Sequence, residues 1–384
     1  MKTVLVCAYY FAPYAGVGWA RALKFCKYLP ENRWAPWVFT VHPGYYGNKV
    51  SEENPAEMAE LRISHIPHVN FPGSVLGVKL LYPLLIFLFA CRHRHKLDAV
   101  YLCGSPYHPF IMTFFLEKLL GLPAVLDFRD SWSLDPNKDE GQPYGLRKIK
   151  KFLRGLIERF SIRYASSAVF ASSVLEEEYR TFLPRYGKKF FTIPNGYDPD
   201  DFGSVVPQRV TKQTAIIIAG KFYYYYPGLV ELFFRLLKRF PALSFICVGG
   251  EGAMLRKLSL EEGVSDRTII LDYQPYSKTL GYIAGADYGL VVNSYLNGMG
   301  TKIFDYLALE KPTLCVVPQG SVIEREFKDN PFVFICTEHE NEKLLEQSLR
   351  TLLATRCEGP CEQLQQFSRR KTAALLAERL NEIC

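Results

Sequence analysis

Short apolar runs, each followed by an amphipathic stretch, recur along this chain in two series, and few folds accommodate that alternation. Runs rich in Val, Ile, Leu or Phe fall at 3–8, 36–41, 62–66, 98–103, 123–128, 167–171 and 190–193. A polar stretch, "PNGYDPDDFGSVVPQRVTKQ" at 194–213, breaks the pattern with three prolines and two glycines. The alternation resumes at 215–220, 243–250, 268–273, 288–293, 312–317 and 332–337, with helical spacing between the runs, as in "GLVELFFRLLKRF" at 228–240. Strands alternating with helices imply a parallel sheet with helices on its faces. The expected fold class is therefore α/β, with two doubly wound, Rossmann-like domains facing each other across a cleft. The boundaries expected are a first domain over 1–197, a linker over 198–213, a second domain over 214–370, and a C-terminal helix over 371–384 packing back on the first. At 384 residues the chain has length enough for two cores.

Charge narrows the partners. Lys and Arg number 46 against 39 Asp and Glu, a net charge of +7. That mild excess suits an anionic small substrate or a membrane surface and falls short of a nucleic-acid binder. The ten cysteines are scattered, several inside apolar runs. They read as buried small hydrophobes of a reducing, cytoplasmic compartment. Cys357 and Cys361 find no second Cys/His pair to complete a zinc site. The first apolar run is too short for a signal peptide. The longest apolar stretch, "VKLLYPLLIFLFAC" at 78–91, contains Lys79 and Pro83 and is shorter than the roughly 18 residues a bilayer span needs. It reads as a buried helix ending in the basic "RHRHK".

The segment "YYFAPYAGVGWAR", 9–21, places Gly16 and Gly18 in a turn between the first strand and the first helix. Such a turn lets backbone approach a ligand and aims helix N–H groups at negative charge. Its spacing is not that of the dinucleotide fingerprint. With this segment stand "LCGSPYHPF" with "GLPAVLDFRDSW", "IPNGYDPDDF" and "GTKIFDYLALEKP", in that order. Together they resemble the two-domain GT-B glycosyltransferases, in particular the retaining glycosyltransferase family 4 that builds bacterial surface glycans.

The resemblance implies transfer of a sugar from a nucleotide-diphosphate sugar, a UDP-sugar by preference, to a hydroxyl of a glycan or lipid-linked acceptor, with no obligatory cofactor or metal. Without a metal, lysines and helix N-termini must stabilise the diphosphate leaving group. In "GMGTKIF", Gly298 and Gly300 allow a tight turn, Thr301 can cap, and Lys302 sits in a first helical turn, where its charge opposes the helix dipole and suggests an anion to be held. Lys221, after "AIIIAG", and Gly16 with Gly18 would share the diphosphate. Asp305, one turn after Lys302, takes the place of the carboxylate that bonds the ribose, although an ion pair with Lys302 explains it equally. Gln274 and Pro275 lie where the family holds the base.

The chain also departs from the family pattern. Two glutamates eight positions apart are replaced by Asn297 and Asp305, which leaves the sugar open. A His before the strand-end Asp is replaced by Arg129, next to Asp130. Asp130 is assigned the reacting centre and Arg129 its orientation or an anion, with Asp127 a second carboxylate; a structural Arg–Asp pair is the alternative. His108 and Asn195 are candidate acceptor or sugar contacts. The aromatic run Phe222–Tyr226 serves stacking or packing. The competing functions are a sugar-nucleotide 2-epimerase of the same fold and a non-catalytic nucleotide or glycan binder. Finally, "YGLRKIKKFLRGLIERFSIRYA" spaces Ile149, Phe152, Leu153, Leu156, Ile157 and Phe160 helically, with Arg147, Lys148, Lys150, Lys151 and Arg154 between them. Apolar residues inside and basic residues outside would let the first domain rest peripherally on an anionic membrane.

Overall fold

The apolar runs become the strands of two parallel sheets in a computed structural model of the chain, which describes residues 1–14, 17–47, 49–50, 56–69, 73–135, 138–355 and 359–384. The first unit comprises Met1–Pro194 and Arg369–Cys384. Its strands are β1 (Lys2–Cys7), β2 (Trp34–Val41), β3 (Arg62–Ile66), β4 (Ala99–Cys103), β5 (Ala124–Phe128), β6 (Ser167–Phe170) and β7 (Phe190–Thr192), in the order β3-β2-β1-β4-β5-β6-β7. The helices are α1 (Ala20–Tyr28), α2 (Ser74–His93), α3 (Thr113–Lys118), α4 (Tyr144–Tyr164) and α5 (Ser173–Phe182). Alternate side chains of a strand point to opposite faces. Val4 and Val6 of β1 accordingly share a core with α1 and the C-terminal helix Arg369–Ile383, while Leu5 and Cys7 share one with α2, α4 and α5. Both faces are covered, so the strands carry no polar alternation.

Two helices of this unit differ from expectation. The 78–91 stretch lies in α2, but only one side of it is buried: Tyr82, Ile86 and Ala90 meet the sheet, whereas Leu80, Leu84 and Leu88 are exposed. A helix apolar all round can cover only one of its faces against one sheet. In α4 the apolar stripe expected underneath lies outside. Ile149, Phe152, Leu153, Leu156 and Phe160 are exposed, and the buried positions are Glu158, Ser161 and Ile162. Only the last turns of α4 reach the core.

The second unit is Asn195–Ser368. Strands β8 (Thr214–Ala219), β9 (Leu243–Val248), β10 (Thr268–Leu271), β11 (Tyr288–Val292), β12 (Thr313–Val316) and β13 (Val333–Cys336) run in the order β10-β9-β8-β11-β12-β13. Helices α6 (Pro227–Leu237), α7 (Gly252–Glu261), α8 (Tyr276–Gly285), α9 (Lys302–Ala308), α10 (Val322–Phe327) and α11 (Glu342–Ala354) follow the strands. Ile216 and Ile218 share a core with α6, α7 and α11, and α8 and α9 lie against β8, β11 and β12. The polar stretch before β8 is part of this unit from Asn195 onward. The Gln208 N–H donates to the Gly281 carbonyl at 2.8 Å, and Arg209 pairs with Asp287 at 3.0 Å. In each sheet the strand order reverses beside the unit's first strand, between β1 and β4 and between β8 and β11. Loops at the C-terminal ends of the strands diverge at such a reversal, which is where open α/β sheets hold ligands.

Candidate functional site

In the second unit the site is built on α9. The Ala219 N–H, at the end of β8, donates to the Tyr306 hydroxyl at 2.8 Å and ties the helix to the strand end. Gly289 of β11 permits that approach, since a Cβ there would lie 2.7 Å from the Tyr306 ring. Lys302 and Asp305 then stand one turn apart on one side of α9. Lys302 Nζ donates to Asp305 Oδ2 at 3.0 Å, and the Tyr276 hydroxyl, from the first turn of α8, donates to Oδ1 at 2.9 Å. The ammonium also sits 5.0 Å from the centre of the Tyr276 ring. The Asp305 side chain is 5% exposed and that of Lys302 29%. The carboxylate is thus fixed while the ammonium reaches solvent. Each carboxylate oxygen has a further lone pair and the ammonium two further protons. The trio can accept from a ligand hydroxyl and donate to a ligand anion without coming apart.

The neighbouring loops are firmly shaped. After β8, the N–H groups of Phe222, Tyr223 and Tyr224 all donate to the Glu251 carboxylate, at 2.7, 3.0 and 2.8 Å. Converging amides of this kind form an anion-binding concavity, and here the chain fills it with its own side chain. Lys221, directly before them, places Nζ 4.0 Å from the Tyr224 ring centre. The other aromatics of the run pack: Phe222 lies in the core, and Tyr226 stacks on His339 at 3.9 Å. After β11, Asn293 Nδ2 donates to the Gly298 carbonyl at 2.7 Å and Asn293 Oδ1 accepts from the Tyr295 N–H at 3.0 Å, closing the turn that carries Asn297. Asn195 Nδ2 donates to the Met299 carbonyl at 3.4 Å, at the approach to α9. The glycine beside it is required, because a Cβ on Gly196 would fall 1.7 Å from the Phe367 carbonyl oxygen. Gln274 Nε2 lies 3.4 Å from the Asp272 carbonyl, and the Pro275 carbonyl accepts the Thr279 N–H at 2.9 Å as α8 begins. Two expectations change here. Thr301 makes no side-chain capping bond, unlike Ser321 before α10 and Asn341 before α11. Gly300 faces open space, so no tight turn demands it.

In the first unit Arg129 and Asp130 follow β5. Arg129 Nη1 donates to the Gly18 carbonyl at 2.6 Å, which ties the opening loop to this strand end; Gly16 lies outside the described residues. The Tyr107 hydroxyl bonds both the N–H and the carbonyl of Asp130, at 3.0 and 2.9 Å, and burial raises its pKa. The Asp130 backbone is pinned while its carboxylate stays exposed, 3.8 Å from the Arg129 guanidinium. Asp127 is different. Arg21 Nε bonds both of its oxygens, at 3.1 and 3.0 Å, with both side chains buried. A carboxylate so engaged serves structure rather than proton transfer. His108 Nε2 donates to the Lys79 carbonyl of α2 at 2.7 Å, and burial lowers its pKa below the ordinary histidine value. Its ring anchors a helix.

No family model and no curated protein matches the chain. Solved structures do. WaaG, a glycosyltransferase involved in lipopolysaccharide biosynthesis, matches 98% of this chain and 95% of its own with a TM-score of 0.65 and 14% identity. HepE from Anabaena, in complex with UDP, matches 100% of this chain and 97% of its own, with a TM-score of 0.63 and 12% identity. Sucrose-phosphate synthase from Thermosynechococcus elongatus matches 100% and 95%, with a TM-score of 0.64 and 14% identity. The fold is GT-B. At these identities the fold is what is shared, and activity has to be argued from the site.

Three residues of this GT-B chain escaped the sequence reading. Tyr276 follows the Gln274–Pro275 pair, but no spacing rule links it to a helix 29 positions on. Glu251 gave no signal beyond the two glycines before it. Arg21 closes the opening motif and also donates to the carbonyls of Ile193 and Pro194, at 2.8 and 3.0 Å. A cation in the first turn of α1, where the dipole disfavours it, was the available clue.

Proposed function

We propose that the chain moves a sugar from a UDP-sugar to a hydroxyl of a glycan or lipid-linked acceptor, with retention, in the assembly of surface polysaccharide or lipopolysaccharide. The observation that carries this reading is the Lys302–Asp305–Tyr276 trio beside the strand reversal of the second unit. Cleavage of the bond between the anomeric carbon and the β-phosphate oxygen leaves negative charge on the diphosphate. Lys302, with Lys221, supplies the compensating charge. Asp305 accepts from the ribose hydroxyls, and Gln274 and Pro275 flank the base. Asp130 faces the reacting centre and orients the acceptor hydroxyl, whose proton passes to the departing β-phosphate oxygen on the same face, as retention requires, and Arg129, always charged, holds Asp130 or an anionic group in place. HepE has been captured with UDP-glucose and with UDP and glucose, and MnaA of S. aureus with UDP, which supports a uridine nucleotide for this frame.

Chromatography of a panel of UDP-sugars incubated with the chain and a membrane glycolipid extract tests the reading. UDP release that depends on acceptor, with sugar incorporated into the extract, is expected. Conversion of the donor into an isomeric sugar nucleotide without acceptor would point to an epimerase. Donor binding with no turnover would point to a binding protein.

A further inference from the structure

The first unit leaves a broad apolar surface uncovered, and the charge around it indicates what covers it. Leu76, Leu80, Leu84 and Leu88 stand one turn apart along α2, each between 49% and 67% exposed. At 1.5 Å per residue the row is about 18 Å long. Leu146, Ile149, Leu153, Leu156 and Phe160 form a second exposed row along α4, with Phe152 beside it. Both helices belong to one layer. Phe87 of α2 meets Phe115 of α3 edge-on, Phe114 meets Phe160 of α4, and Thr113 Oγ1 donates to the Ser161 carbonyl at 3.1 Å. The His108 bond to Lys79 clamps α2 to the turn before α3. Apolar surface of this extent marks an interaction site.

The described residues of these three helices leave no carboxylate unengaged. α2 has none. Glu117 of α3 accepts from the Ala124 N–H at 2.8 Å and from Ser166 at 2.5 Å. Glu158 of α4 is buried and bonded to Ser133 and Tyr179. Cations are at hand instead: Lys148 and Lys151 are exposed on α4, and Arg92, Arg94 and Lys96 close the end of α2. Rows of leucine flanked by lysine and arginine have the composition of a surface that inserts below phosphate headgroups and keeps its cations among them. A protein partner would favour buried Trp, Tyr and Arg anchors over leucine.

We propose that the α2–α3–α4 face of the first unit lies on an anionic lipid bilayer, with the leucine row of α2 and the apolar row of α4 inserted below the headgroups. Ser74–Lys96 is long and apolar enough to cross a bilayer. Its other face nevertheless belongs to the core, where Tyr82, Ile86 and Ala90 are buried and the Tyr82 hydroxyl donates to the Phe39 carbonyl at 2.8 Å. A spanning helix would abandon those contacts, so α2 lies in the interface. The inference stands apart from the proposed sugar transfer, because vesicle binding needs neither donor nor acceptor.

Flotation of the full chain with vesicles of phosphatidylcholine, with and without phosphatidylglycerol, at low and high salt, decides it. The chain should float with the anionic vesicles at low salt. High salt should weaken binding without abolishing it, because ions screen the lysines and not the leucines. Leu80→Glu combined with Leu84→Glu should remove flotation under every condition, and Lys148→Glu with Lys151→Glu should lower it at low salt. These positions are exposed, and an unchanged melting temperature confirms that the variants are folded. No flotation by the wild type overturns the proposal, as does flotation that survives the double leucine variant. A dimer that becomes monomeric in that variant, and never floats, would assign the face to a second copy of the chain and overturn it equally.

Discussion

In the proposed function the Asp305 carboxylate is the residue on which the donor site turns. It holds Lys302 and Tyr276 at once, so its removal frees both and takes away the acceptor proposed for the ribose hydroxyls. Asp305→Ala should weaken binding of uridine and UDP alike, by about 1.5–3 kcal/mol for a charged hydrogen-bond partner. Tyr276→Phe removes one neutral donor and should cost only about 1 kcal/mol. Asp130→Ala, in the first unit, should leave UDP affinity intact while lowering transfer; equal loss of nucleotide binding in a folded Asp130→Ala variant would remove the acceptor-side assignment. Calorimetry with the three variants separates these outcomes. The Lys302–Asp305 ion pair was legible in the sequence because charge in a first helical turn and i,i+3 spacing are local facts. Tyr276 and the Arg21–Asp127 pair were not, since their partners are brought in by the sheet from 29 and 106 positions away. Asp127 therefore stood behind Asp130 as a second candidate, and its buried pairing with Arg21 shows it engaged in structure.

At the scale of elements, apolar runs located every strand because a parallel strand covered on both faces has a signature within a few residues. Helices were harder. In α2 and α4 the same spacing fits a buried stripe and an exposed one, and only neighbours decide which. Glu158 shows how α4 is nonetheless held. Burial raises its carboxyl pKa, opposed by hydrogen bonds from Ser133 and Tyr179. A carboxyl with a raised folded-state pKa contributes stability that is full below its unfolded value, 4.5, and lost as pH rises through the folded value. Wild-type melting temperature should therefore carry a downward component as pH rises above 4.5, and Glu158→Gln should lack it. Matching profiles in melting curves would contradict the burial argument. Gly196→Ala offers a backbone test. Its Cβ would collide with the Phe367 carbonyl at 1.7 Å, so the segment before Pro199 must shift and the melting temperature must fall.

For the whole molecule, two parallel sheets with ligand-side loops at their strand reversals were readable from the doubled alternation, and the structural matches place the chain in GT-B. In the proposed transfer the lysines compensate the leaving-group charge, so transfer should survive EDTA; loss of turnover restored by magnesium or manganese would show that the lysines are not enough. In the proposed function α9 holds a nucleoside diphosphate, and calorimetric titration of UDP into the wild type and Lys302→Ala is the test. One UDP per chain is predicted, bound more tightly than uridine, with affinity falling by about ten- to a hundredfold in Lys302→Ala, the equivalent of one charged hydrogen bond. No binding of UDP to the folded wild type, or equal binding by Lys302→Ala, would rule out a diphosphate held by Lys302 on α9.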